Sequence, residues 1–178
     1  MTTQTMGKPD VAPADTSGES LKDTMTTRIA RYETRKYDWD ALKFQADFDP
    51  KYRRAQMRYI GTGVDSDDNA VPPEHFTFST MVLPPHCEGP LHVHHDVEEV
   101  FFMLRGRIRV FFEKDGEKWE TELGERDLVS VPPGIYRGLV NDRDEEALMC
   151  VMLGASKPKI PNYPADHPLS KIDRSKKK

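Results

Sequence analysis

Two histidines one residue apart, His92 and His94, are followed closely by the carboxylates Glu98 and Glu99, and this cluster is the part of the sequence best suited to chemistry. In an extended segment side chains alternate between faces, so both imidazoles leave the same face and can chelate one ion. Metal–nitrogen bonds of about 2.0 to 2.1 Å are reachable from such a pair without distorting the backbone. A carboxylate from the next strand completes a set of three protein ligands. Glu98 and Glu99 point to opposite faces, so only one of them can serve. Alternation leaves the choice open, because Glu99 shares its face with Phe101 and Met103, Glu98 shares its own with Val100 and Phe102, and both faces are apolar. Three neighbours complete the inventory. His95 projects opposite to His94. His86 lies in a loop marked by Pro84-Pro85 and Gly89-Pro90 and is an alternative nitrogen donor. Cys87 is either a thiolate ligand or, as lone cysteines more often are, a small buried apolar residue.

The elements that must position these groups are short β-strands. From residue 76 onward, β-rich runs separated by Gly, Pro and Asp cover 76–83, 91–94, 99–104, 108–113, 118–123, 127–131, 138–140 and 147–153. Short strands at this spacing predict an all-β sandwich or barrel. Asp115-Gly116 between two such runs is a strong hairpin signal. The 100–104 run is apolar on both faces, which predicts cover on both sides, by an N-terminal layer or by a second copy of the chain. Upstream, residues 58–60 read as a strand before a turn-rich loop over 61–73, and Asp38 as the cap of a short helix. The expected organisation is a disordered leader over 1–25, an N-terminal extension packing on the barrel over 26–75, the barrel over 76–155 and an extended C-terminal tail over 156–178.

The spacing of the cluster resembles the first motif of the cupin family, G-x5-H-x-H-x3-4-E-x6-G, through His92, His94, Glu99 and Gly106; His86 stands where the motif has its first glycine. The second motif, G-x5-7-P-x-G-x2-H-x3-N, is met by Gly124, Pro132, Gly134 and Asn141. The resemblance implies a double-stranded β-helix, the cupin or jelly-roll barrel, with an irregular N-terminal extension, and it selects Glu99 over Glu98 as the carboxylate ligand. The family's fourth ligand, a histidine, falls on Arg137. A guanidinium has no lone pair to offer a metal. The implied site is then two histidines and one carboxylate with an open face, like the facial triad of non-haem Fe(II) oxygenases.

Two readings of Arg137 follow. Beside an open coordination face it can grip an anionic substrate and neutralise developing charge; alternatively it forms a buried ion pair with Glu99 in a barrel that has lost its metal. The implied activity is that of a metal-dependent enzyme, foremost a dioxygenase acting on a small anionic enolisable or phenolic substrate. Its cofactor would be one divalent metal ion, Fe(II) first, with Mn(II) and Ni(II) as alternatives. Arg137 is the catalytic candidate, and Arg137, His86 and Tyr136 are the substrate-contacting candidates. A redox-neutral lyase or isomerase using Tyr136 or His86 as base, and a non-catalytic small-ligand-binding cupin, are the other readings.

Bulk properties exclude other classes. The 178 residues carry 26 basic and 30 acidic side chains and a net charge of −4, which lacks the basic excess that nucleic-acid binding uses. No window approaches the roughly 20 apolar residues of a membrane helix, and the two cysteines form no C-x-x-C pair. The expectation is a cytoplasmic protein whose partners are a small-molecule anionic substrate and, in a homodimer, a second copy of itself.

Overall fold

The structure, a computed structural model, describes residue 18 and residues 20–61 and 70–172. Most of the expected leader, much of the 61–73 loop and the basic end at 175–178 lie outside these residues. Within the leader's range, Leu21–Thr26 forms a one-turn helix (α1) whose amide at Asp23 is accepted by the Ser20 hydroxyl. No helix among the described residues is long and apolar enough to cross a membrane.

Among the described residues nine strands follow: β1 Ala55–Ile60, β2 Thr77–Leu83, β3 Glu88–His92, β4 Glu99–Arg105, β5 Ile108–Lys114, β6 Glu117–Leu123, β7 Leu128–Val131, β8 Tyr136–Val140 and β9 Ala147–Leu153. They form two antiparallel sheets, ordered β1-β2-β9-β4-β7 and β3-β8-β5-β6. From β2 onward the chain passes between sheets at every step except the β5–β6 hairpin, which is the winding of a jelly-roll barrel. That hairpin turns on Asp115 and Gly116, both at positive φ, the backbone a two-residue turn requires. Inward side chains of both sheets, among them Leu83, Phe101, Met103, Ile108, Val110 and Met149, make one continuous core. Gly138 is needed for close approach: a Cβ there would lie 2.3 Å from Phe111 Cε2.

Four expectations are revised. The strand expected over 91–94 runs over Glu88–His92 and stops before His94. Its ladder with β8 is irregular between Gly89 and His92, Pro90 has no N–H to give, and the His94 carbonyl accepts instead from Gly134 N at 2.8 Å. Asp38 does not cap a helix. Its Oδ1 accepts from the amides of Asp40 and Ala41, both at 2.9 Å, its backbone bridges to Gln56, and the helix (α2, Lys43–Phe48) begins later. The C-terminal segment is more than a surface extension. Val93 and Asn162 exchange two backbone hydrogen bonds, and Tyr163 and Leu169 are buried against Tyr52. Finally, the outer face of β4 is only partly covered. Val100 and Phe102 are half-buried, whereas Leu104 stays 42% exposed and Leu128, paired with Phe102 across β7, 56% exposed.

Candidate metal centre

β3 delivers His92 and β4 delivers Glu99 to the same end of the barrel, and His94 follows on the segment linking them. One ligand atom from each of the three lies within 4.8 Å of the others, and among the described residues this is the one such group of His, Cys, Asp and Glu. The two rings stand edge to face with centroids 5.5 Å apart. His92 Nδ1 lies 2.9 Å from the Pro90 carbonyl, which can only accept, so Nδ1 donates to it and, in the neutral ring, Nε2 is the nitrogen with the lone pair. Nε2 faces Glu99 Oε2 at 3.4 Å. Glu98 sits on the outer face, exposed and hydrogen-bonded by the Ser130 hydroxyl, so the geometry agrees with Glu99 as the inward carboxylate.

Burial lowers the His94 pKa to about 4, only partly offset by the Glu99 charge, so its imidazole is neutral at pH 7. Its Nδ1 is fully buried with no hydrogen-bond partner. Burial alone would raise the Glu99 carboxyl, but the His92 hydrogen bond and the His92, Arg137 and His94 charges outweigh it and hold the group at about 2. Both depressions act in one direction on the metal-free protein. Between pH 6.5 and 4 the unfolded chain protonates His94 and the fold does not; between about 4.5 and 2 the same holds for Glu99. Stability is therefore present above these windows and is lost in two stages as pH falls. Denaturant midpoints measured from pH 7 to 3 should decline below pH 6.5 and again below 4.5, and the first decline should vanish in His94→Gln.

Arg137, opposite His92 in the β3–β8 ladder, is fully buried. Its Nε donates to Glu99 Oε2 at 2.7 Å and its Nη1 to the Ile135 carbonyl at 3.0 Å, while Nη2 is sealed without a partner. Of the two readings of this residue, the geometry carries the ion pair with Glu99; the guanidinium is not among the groups that line the adjoining cavity. The pair does not close the site, because Glu99 Oε1 takes no hydrogen bond among the described residues and a carboxylate has lone pairs for both partners. Asn141 is structural. It is wholly buried, and its amide nitrogen donates to the carbonyls of Leu83, Pro84 and Glu145.

Two other candidates do not reach the cluster. His86, at φ 57°, is exposed and bonded to Asp144 at 2.9 Å. Tyr136 neighbours Arg137 on β8, so alternation turns it to the opposite face, and it does not line the cavity. Cys87 packs against the core, and burial raises its thiol pKa.

The triad opens on a cavity of about 360 Å³ walled by Met81, Phe101, Leu139 and Val151 and bordered by Lys157, Pro158 and Tyr163 of the C-terminal segment. Sequence reasoning missed one residue here. Arg54, between the 3-10 turn Pro50–Tyr52 and β1, is 6% exposed and lines this cavity. No motif or periodicity marks it; only the fold brings it to the site.

Residues 79–153 match the family model described as the cupin domain. No curated protein sequence matches the chain. Among solved structures, the chain is similar to Peruvianin-I, a cysteine peptidase from Thevetia peruviana latex, at TM-score 0.61 and 14% identity over 88% of this chain and 87% of that one. It is similar to an oxalate oxidase at TM-score 0.57 and 14% identity over 83% of this chain, spanning 66% of the oxalate oxidase. A third likeness is to CapF, solved with 3-isopropenyl-tropolone, at TM-score 0.52 and 18% identity over 68% of this chain and 30% of that one. Identities this low carry the fold and leave the activity to the site.

Proposed function

We propose that this chain, whose residues 79–153 match the cupin-domain model, holds one divalent metal through His92, His94 and Glu99 and works as a metal-dependent enzyme, foremost an Fe(II) dioxygenase acting on a small anionic enolisable or phenolic substrate. The observation that carries this reading is the convergence of three ligand atoms within 4.8 Å beside the cavity walled by Met81, Phe101, Leu139 and Val151. The donor set fits the ion: one imidazole has its tautomer set by a backbone carbonyl, a second is kept neutral by burial, and an ionised carboxylate keeps a free oxygen. When bound, a divalent metal there supplies Lewis acidity and, as Fe(II), one-electron chemistry toward O₂. The residues do the rest. Arg137 holds the Glu99 carboxylate in one orientation, and the walls of Met81, Phe101, Leu139 and Val151 exclude bulk water. A lyase or isomerase needs a base at the cavity, and neither His86 nor Tyr136, the two expected for it, lines it.

Metal analysis of protein purified without chelator tests the reading. A stoichiometric divalent ion is expected, and less than about a tenth of an equivalent under all supplementation overturns it. Oxygen uptake by the Fe(II) form with a panel of β-diketones and phenolic acids then tests the oxygenase; no uptake with any of them counts against it.

A second copy of the chain is proposed to cover the outer face of β4. Leu104 and Leu128 leave an apolar patch there, continuous with half-buried Phe102 and Cys150 in register across the sheet. Leu104→Arg should shift the mass measured by light scattering from dimer to monomer without lowering metal content. A wild-type monomer at all concentrations overturns this.

A further inference from the structure

Arg54 is a buried cation without a counter-ion. Its Nη1 donates to the carbonyls of Tyr52 at 3.3 Å and Glu88 at 3.2 Å, and it makes no ion pair with a carboxylate among the described residues. Burial lowers its guanidinium pKa to about 10, which leaves it charged at neutral pH. The nearest anionic group of the site, Glu99, is already engaged by Arg137 at 2.7 Å. With one carboxylate and two guanidiniums, the site carries net positive charge before any metal adds its own. A buried charge is tolerated when it is paired.

The unused donors of Arg54 are Nε and Nη2, the side-on edge of the guanidinium. Unlike Arg137 Nη2, neither is among the buried atoms sealed in protein without a partner, and the residue lines the cavity. Two parallel N–H groups match the two oxygens of a carboxylate, the bidentate arrangement that makes arginine selective for that group. Much of the remaining lining, Phe78, Met81, Phe101, Leu139, Val151 and Leu153, is apolar and suits an apolar body. A cavity of about 360 Å³ suits a molecule of about one ring.

We propose that Arg54 is the specificity-determining residue of this cavity and that it binds the carboxylate of a small monocarboxylic acid with an apolar or aromatic body. This rests on the reading of the cavity as the substrate site and adds the substrate class to it. Arg54 touches the carboxylate end, and the triad faces the rest of the molecule.

Titration calorimetry on the chelator-treated full chain tests this apart from the metal, with benzoate and phenylacetate as probes and benzamide as the neutral isostere. Wild type should bind both carboxylates, and benzamide about tenfold more weakly or worse, because a neutral amide cannot complete the charge-assisted pair. Arg54→Gln should weaken benzoate by about tenfold or more, with benzamide little changed. If that variant does not fold, Arg54→Lys takes its place: it keeps the charge and loses the fork, and benzoate should weaken at least about threefold. Because the probes are titrated into chelator-treated protein, the outcome does not depend on bound metal, and loss of the metal reading, measured by metal analysis, is read separately from loss of this one. Equal affinity for benzoate and benzamide, no benzoate binding up to about 10 mM, or unchanged benzoate affinity in the Arg54 variant overturns the proposal.

Discussion

His92→Ala is expected to reduce bound metal from stoichiometric to below about a tenth of an equivalent after dialysis, the largest single effect anticipated for this protein. The reason is the small number of donors. Three protein ligands converge, so losing one leaves an imidazole and a carboxylate, and the ring lost is the one whose Nδ1–H bond to the Pro90 carbonyl aims its lone pair in advance. The fold should survive, because His92 is at the end of β3 and contributes little to the core. Metal content and the thermal midpoint, measured together, separate the outcomes. Metal lost with the midpoint of the metal-free form unchanged supports the site; metal retained at wild-type level refutes the assignment of His92.

Arg137→Met is expected to destabilise the metal-free protein by about 3 to 5 kcal/mol, because it strands the Glu99 carboxylate in a buried position without its cation. For a chain of this size that corresponds to a drop of roughly 10 °C or more in the thermal midpoint. Part of the loss should return when a divalent metal is added, since the ion then compensates Glu99 in place of the guanidinium. Arg137→His, by contrast, introduces a fourth ligand, a third nitrogen, beside Glu99 and opposite His92 and should bind metal more tightly than wild type. Unchanged stability in Arg137→Met would mean that the 2.7 Å pair contributes nothing to the fold. Flat metal affinity in Arg137→His would mean that position 137 does not adjoin the ion.

What could be read from the chain alone was local. Runs of alternating and β-branched residues marked the strands from 76 onward, and Asp115-Gly116 marked the hairpin, because strand propensity and turn backbone depend on near neighbours. The His92–His94 spacing established two imidazoles on one face, and motif spacing, rather than alternation, preferred Glu99 to Glu98. The tertiary structure decided what depends on contacts between distant segments. It placed Arg137 on Glu99, 38 positions away, rather than at the cavity wall. It turned His86 and Tyr136 away from the cluster, drew the C-terminal segment onto Val93 and Tyr52, and set Arg54, unmarked by any motif, in the cavity wall. The candidate metal ligands were legible because chelation is a short-range property of sequence. The charged group left free to meet a ligand was not, because which arginine finds a carboxylate and which is left without one depends on how the two sheets and the segments over them pack.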